Sequence, residues 1–354
     1  AQSIDQMSSL QSTLTGKAIL QYSYSSLASR VAKPDAENKT DDNEIENADE
    51  SRADKDDSPL ESPAKTKEEQ KKIDPDVVLN DADDSANSVS EPLSQAEEKY
   101  PRGAKIGNVL HNTLEKSEFE NFGDLDAKFE EWRKNVPAKL KNIIKEEFGA
   151  ESLPLAAHEG EWMEITLRYL YNTLHAALPV IAGGEFVKSV EPFHLIELDE
   201  NAHKPEVQFG MNADVEDESA EAFATLHRVC KGFIDLLFVR GEGDNKRYSI
   251  LDWKSDLLDD YSPKSVKEKV DEEYSVQRVL YSYCLIKWLK NFEFCKGMSE
   301  QDIFDKHFGG IYYAFLRGTD GKTGKGIYAQ TWKDYRTLEA AYENVKDLMT
   351  QGKK

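Results

Sequence analysis

Cysteine is scarce in this chain of 354 residues. There are three, Cys230, Cys284 and Cys295, and their spacing suits neither a metal knuckle nor a disulfide framework. A disulfide-stapled scaffold and a cysteine zinc site are therefore excluded, and a reduced, cytoplasmic setting is expected. No apolar run reaches membrane-spanning length and no secretory pattern opens the sequence, so neither export nor membrane insertion is expected. The phosphate-loop spacing G-x-x-x-x-G-K-[ST] is missing too; GTDGKTGKG holds its residue types without its order, and no nucleotide site follows from it. Positive charge is also short. Lys and Arg number 45 against 67 Asp and Glu, a formal net charge of −22, which makes a poor surface for non-specific attachment to nucleic acid.

The acidity is unevenly spread. Residues 1–100 hold 23 acidic and 11 basic side chains, so about half of the net negative charge sits there. Residues 1–30 are lightly apolar and suit either one strand or a short docking helix anchored by Tyr22, Tyr24 and Leu27. Residues 31–100 are rich in Asp, Glu, Lys, Ser, Asn and Pro without a sustained apolar period, and are expected to be a disordered acidic linker or insert. Order is expected from 101 to 354. Within it, 101–182 reads as mainly helical and 183–354 as an α/β core.

Several elements can be placed on that frame. PRGAKIGNVLHNTLEKSEF reads as a turn and a helix with Ile106, Val109, Leu110, Thr113 and Leu114 as its buried stripe. Gly107 and His111 share a face, and the glycine suits a close backbone approach beside an ordinary half-buried histidine. Residues 124–149 and 159–178 suggest two more helices. The second has Trp162, Ile165, Leu167, Leu170, Leu174 and Leu178 on or near one side, with His175 as a packing or surface residue. Residues 183–199 suggest a strand pair or one long strand broken near Pro192, with Glu191 in an otherwise apolar context, and 200–222 an acidic loop. After the central hairpin, 257–272 reads as a polar connection and 273–292 as one helix with Gln277 and Tyr281 on one face. A strand, a Gly/Lys-rich loop, a short strand and a closing helix over 334–349 complete the chain.

Chemistry concentrates in residues 231–256, KGFIDLLFVRGEGDNKRYSILDWKSD. Two apolar strands flank a turn with two glycines, so a hairpin is expected. Asp235 lies in the first strand. Asp252 and Lys254 are two apart in the second and share a face, with Trp253 on the other. Carboxylates buried in paired strands are costly unless their charge is compensated, and a divalent cation would do so. D-x-K alone is a weak signal, more often a solvated strand end; the surrounding motifs raise the weight it carries. A set of His, Asp and Lys favours a hard metal and phosphate chemistry over acyl transfer.

In order, G-x-x-x-H in IGNVLH, G-x-x-D in GFID, D-x-K in LDWKSD and Q-x-x-x-Y in QRVLY form a recognisable series. The chain resembles the C-terminal nuclease domain of the RecB subunit of bacterial exodeoxyribonuclease V, within the PD-(D/E)xK nuclease superfamily. PRGAKIGNVLHNTLE, VEPFHL, KGFIDLLF, YSILDWKSDLL and FGGIYYAFLRG all look like stretches of that family, and YSYSSLASR looks like the segment preceding its core. The resemblance is loose over 20–30 and good from 101 to about 330.

It implies a restriction-endonuclease-like core: a mixed central sheet flanked by helices, with a helical region before it. Its metal ligands fall on His111, Asp235 and Asp252 and on the backbone carbonyl of Trp253, for one or two Mg²⁺ ions. The family's catalytic lysine falls on Lys254. Gln277 and Tyr281 are implied to brace the site or touch DNA, and Glu191 matches a glutamate near it. Trp253 stands where relatives often have tyrosine, with no change in chemistry expected. The implied activity is metal-dependent hydrolysis of DNA strands fed by an ATP-driven helicase that forms the N-terminal part of the same polypeptide. The chain begins without methionine, which fits a C-terminal piece of such a protein. RecC-like and RecD-like subunits are the implied partners, in double-strand break repair and recombination. Among this chain's own residues, Arg317, Lys322 and Lys325 are candidates for phosphate contact or, equally, a solvated basic loop. The alternatives are an inactive nuclease-like module that serves only protein–protein interaction, and a related enzyme acting on RNA or in restriction.

Overall fold

In the computed structural model, which describes residues 19–23, 95–215 and 226–351, the sheet is assembled on one strand, β5 (Leu226–Arg240). Along one edge it pairs antiparallel with β4 (His203–Val215), from Val215 opposite Leu226 to His203 opposite Phe238. The other edge is shared. β1 (Ile19–Ser23) runs parallel to its first half, ending at Ser23 opposite Lys231. β6 (Arg247–Lys254) runs antiparallel to its second half, from Arg240 opposite Arg247 to Leu236 opposite Leu251. Among the described residues no strand occupies that edge between Lys231 and Leu236. β6 continues as the parallel partner of β7 (Phe308–Phe315), which pairs antiparallel with β8 (Ile327–Gln330). A small separate hairpin joins β2 (Ile181–Ala182) to β3 (Glu185–Phe186).

Helices cover both faces. Ahead of the sheet come α1 (Ala104–Lys116), α2 (Ala138–Ala150) and α3 (Leu155–His175). Their apolar stripes, including Ile106, Val109, Leu110, Leu114, Trp162, Leu170 and Leu174, pack with Leu236, Phe238, Leu251, Trp253 and Tyr312. On the opposite face α4 (Pro263–Glu273), α5 (Ser275–Leu289), α6 (Glu300–His307) and α7 (Tyr335–Gln351) pack with Leu237, Tyr248, Ile250, Tyr313 and Phe315. Alternation along β6 assigns its residues cleanly: Arg247, Ser249, Leu251 and Trp253 face the first layer, Tyr248, Ile250, Asp252 and Lys254 the second. β7 is buried at every position, as its uninterrupted apolar sequence requires of a strand covered on both sides.

Four expectations are corrected. Residues 203–215 are a strand and not part of an acidic loop; the polar-rich HKPEVQFGMNADV has only a weak alternation, and pairing with β5 fixes it. Residues 183–199 contain the two-residue β3 and then a 3₁₀ turn at Leu195–Glu197, held by the Leu178–Phe193 bridge rather than by a long strand. The polar connection after the hairpin contains α4, started by Ser262 as its cap and Pro263 in its first turn. Tyr274 then separates α4 from α5, so the single helix over 273–292 is a break followed by α5. Residues 31–94, expected as the acidic linker, lie outside the described residues, as do Tyr24 and Leu27.

Where β6 meets β7 the register slips: Tyr248 is opposite Phe308, but Ile250 is opposite Ile311. The extra residue in β7 is absorbed beside Gly310, whose φ is +89°. A Cβ there would stand 2.5 Å from Ile181 Cδ1 and 3.0 Å from the Gln330 carbonyl oxygen. Gly310→Ala should therefore destabilise the fold by roughly 1–3 kcal/mol, read as a lower urea midpoint. An unchanged midpoint would show that the bulge accommodates a side chain.

Candidate active site

β5 and β6 part company beyond the Leu236–Leu251 pair, and the candidate site fills the opening. The Trp253 N–H, which would otherwise seek a ladder acceptor on β5, donates to Asp235 Oδ2 at 2.8 Å. Tyr281, on α5, donates its hydroxyl to the Phe233 carbonyl at 2.9 Å and so closes the β5 side. Two side chains thus replace the missing rungs, which leaves the Asp235 carboxylate beside the end of β6.

Asp252 is 3% exposed and engaged on both oxygens. Gln277 Nε2 donates to Oδ1 at 2.6 Å, and Lys254 Nζ is 2.5 Å from Oδ2. The amide of Gln277 spans the pair, since its Oε1 accepts from Lys254 Nζ at 3.2 Å. Lys254 also lies over the Tyr274 ring, 3.7 Å from its centroid, with the Tyr313 ring at 5.5 Å. The Tyr274 hydroxyl donates to Asp256 Oδ2 at 2.9 Å, and Lys269 holds the other Asp256 oxygen at 3.1 Å. This aromatic and acidic surround holds the ammonium in place.

His111 reaches the site from α1, its Nδ1 3.5 Å from Asp235 Oδ2. Gly107, one turn earlier, permits the approach: a Cβ there would lie 2.7 Å from Ser255 Oγ, so the close neighbour is a side chain rather than the backbone expected. Burial first, and then the charge of Asp252, push the Asp235 carboxyl well above the ordinary carboxylate range. Lys254 and the Trp253 N–H oppose that shift, and Glu206 reinforces it.

Glu206 had no part in the sequence expectation. It sits in β4 with φ +50°, between the Pro205–Leu236 and Val207–Ile234 pairs of an unshifted register, and so stands opposite Asp235 on the neighbouring strand. A non-glycine residue in that conformation costs on the order of 1–3 kcal/mol and persists only where its surroundings impose it. Its signal in sequence was an acid among apolar neighbours in PEVQF, masked by the acidic residues around it. Tyr274 and Asp256 left no comparable trace.

His111, Asp235, Asp252, Trp253, Lys254, Gln277 and Tyr281 are therefore brought together. Glu191 is exposed in the stretch between β3 and β4, and no hydrogen bond or ion pair joins it to this cluster among the described residues. Arg317 is committed elsewhere: it donates to the carbonyls of Ser255 at 2.9 Å and Pro101 at 2.7 Å and lies over Tyr100. Lys322 and Lys325 are exposed in the loop before β8. Among the described residues no three His, Cys, Asp or Glu side chains stand close enough together to hold a metal ion as they are. The donors at Asp235 and Asp252 fit a hard divalent cation in kind, being carboxylate oxygens with excess negative charge. No helix among the described residues is long and apolar enough to cross a membrane.

No protein-family model matches the chain. Among curated proteins, the RecBCD enzyme subunit RecB of Buchnera aphidicola subsp. Schizaphis graminum is 27% identical over 231 residues, 63% of this chain and 17% of that protein. The corresponding subunit of Haemophilus influenzae is 25% identical over 269 residues, 71% of this chain and 20% of the relative. That of Escherichia coli strain K12 is 26% identical over 268 residues, 70% and 20% respectively. The similarity supports a relationship to RecB subunits. The aligned part spans about a fifth of the length of these relatives.

The charge balance at Asp235 gives a test in the metal-free chain. Folded Asp235 holds its proton more tightly than the unfolded residue, so its contribution to stability is fullest below the ordinary carboxylate pKa. That contribution is lost as pH rises toward the raised value. Asp235→Asn keeps an oxygen for the Trp253 N–H and removes the charge. In EDTA it should melt above the wild type near about pH 7.5, with the advantage shrinking toward about pH 4. A variant melting lower at both would contradict the balance described.

Proposed function

We propose that this chain is the nuclease unit of a RecBCD-type helicase–nuclease, hydrolysing DNA phosphodiester bonds with Mg²⁺. The observation that carries the proposal is the pairing of a half-buried Asp235 with a buried Asp252, on strands that diverge there, with Lys254 fixed alongside. Similarity to RecB subunits supports the same reading.

In this proposal His111, Asp235, Asp252 and the Trp253 carbonyl hold one or two ions, with Glu206 as a further acid. Bound Mg²⁺ would offset the carboxylate charge and polarise the scissile phosphate. Gln277 keeps Asp252 oriented, and Tyr281 ties β5 to α5 so that Asp235 does not drift from β6. Lys254 presents an ammonium to the phosphate oxygens and to the water that attacks it, held against rotation by Asp252 and the Tyr274 ring. With a net charge of −22 the chain steers DNA poorly by itself, which suits strands delivered by a helicase portion of the same polypeptide and by RecC-like and RecD-like subunits.

A second reading, an inactive module that only binds partner subunits, is favoured by one observation: Lys254 and Gln277 already satisfy Asp252, and no three-ligand cluster stands ready among the described residues. Cleavage assays separate the two. With Mg²⁺ the chain should degrade DNA, Asp252→Ala should abolish this, and EDTA should stop it. Lys254→Ala should slow cleavage by roughly 10² to 10⁴ while Ca²⁺ still binds. Full activity in Asp252→Ala would end the proposal, and no activity in the wild type would favour the module.

A further inference from the structure

The turn end of the β5–β6 hairpin carries a second polar site. Arg240 and Arg247 are directly opposed there. They rise from the sheet face opposite to Asp252 and Lys254, and Arg247 is about 17 Å along the strand from Asp252 at 3.3–3.4 Å per residue. Like charges opposed across strands repel, so the pairing needs a compensating group.

Among the described residues neither arginine has an ion-pair partner. Arg240 is half-buried, with its guanidinium carbon 3.8 Å from the Phe193 ring centroid, and it makes no hydrogen bond or ion pair among the described residues. Arg247 donates Nη1 to the carbonyls of Asp305 at 2.9 Å and Phe308 at 3.4 Å, which orients its plane and leaves Nε and Nη2 uncommitted. Glu197 and Asp305 are the carboxylates whose charge reaches these arginines, and neither forms an ion pair with them.

Both arginines line a cavity of about 200 Å³ together with Ser249, Asn245, Ile181 and Phe193. Ser249 is only 4% exposed, yet its hydroxyl has no hydrogen-bond partner among the described residues. Gly309 keeps the space beside it open, since a Cβ there would stand 2.3 Å from Ser249 Oγ. A hydroxyl without a hydrogen-bond partner among the described residues, lining the same cavity as two guanidinium groups that form no ion pair there, matches a tetrahedral oxyanion, which guanidinium forks bind through paired N–H donors. The apolar wall of Ile181 and Phe193 leaves room for an attached organic group.

We propose that this cavity binds the phosphate group of a nucleotide, as a site separate from the carboxylate cluster. The inference does not depend on the nuclease reading. Calorimetry in EDTA tests it with dTMP, thymidine, inorganic phosphate and an oligonucleotide with or without a 5′-phosphate. dTMP should bind and thymidine should not. Arg240→Gln should weaken dTMP binding at least tenfold. Asn245→Glu, an exposed rim substitution that leaves the packing intact, should do the same by placing a carboxylate before the arginines. Asp252→Ala should leave dTMP affinity unchanged. Binding of the 5′-phosphorylated strand as tightly as dTMP would identify a strand end as the source, and binding of dTMP alone a free nucleotide; either supports the site. Thymidine binding as tightly as dTMP would overturn the proposal. So would binding of inorganic phosphate without dTMP, undiminished affinity in Asn245→Glu, or loss of affinity in Asp252→Ala.

Discussion

A single hydrogen bond, from the Trp253 N–H to the Asp235 carboxylate, sets the terms for the rest of the site. Two antiparallel strands that separate would leave backbone donors and acceptors buried and unmet, at a cost of about 1–3 kcal/mol for each group. Here one side chain from β5 meets the β6 donor, and Tyr281 meets the Phe233 carbonyl. The opening is therefore stable without a continuous ladder. It also forces a carboxylate to stay at the place where burial and a neighbouring acid make its charge hardest to carry.

The other elements answer that charge. Lys254 pairs with Asp252 and Gln277 donates to it, the Tyr274 ring, itself bonded to Asp256, lies against Lys254, and α1 brings His111 to Asp235. Each helical layer contributes to the cluster, so its geometry depends on the sandwich being assembled. The fold would be easier to hold with an amide at Asp235, and a carboxylate serves no packing purpose that an amide would not.

Much of this was legible from the amino-acid order. The alternation of YSILDWKSD placed Asp252 and Lys254 on one face with Trp253 opposite, and the i, i+4 spacing aligned Gln277 with Tyr281. The stripe of α1 was correct at Ile106, Val109, Leu110, Thr113 and Leu114, all of them buried. His175 proved to be a core residue, bonded to the Tyr171 and Asp124 carbonyls. What sequence could not convey was set by tertiary pairing. β4 is a strand because β5 needs a partner on that edge, and that pairing sets Glu206 opposite Asp235. Glu191, chosen from its motif, lies exposed because the 3₁₀ turn after it replaces the anticipated strand. Arg317, a candidate for phosphate contact or part of a solvated basic loop by sequence, has donors taken by the carbonyl groups of Ser255 and Pro101.

We propose that the Asp235–Asp252 pair is kept for a divalent cation. Calorimetric titration with Ca²⁺, repeated in buffers of different ionisation enthalpy, tests it most directly, because a carboxyl with a raised pKa must give up its proton when a cation takes its place. Saturable binding that depends on both aspartates is expected, with proton release that grows as pH is lowered into the range where Asp235 is protonated. The absence of saturable heat, or binding that survives removal of both carboxylates, would contradict it.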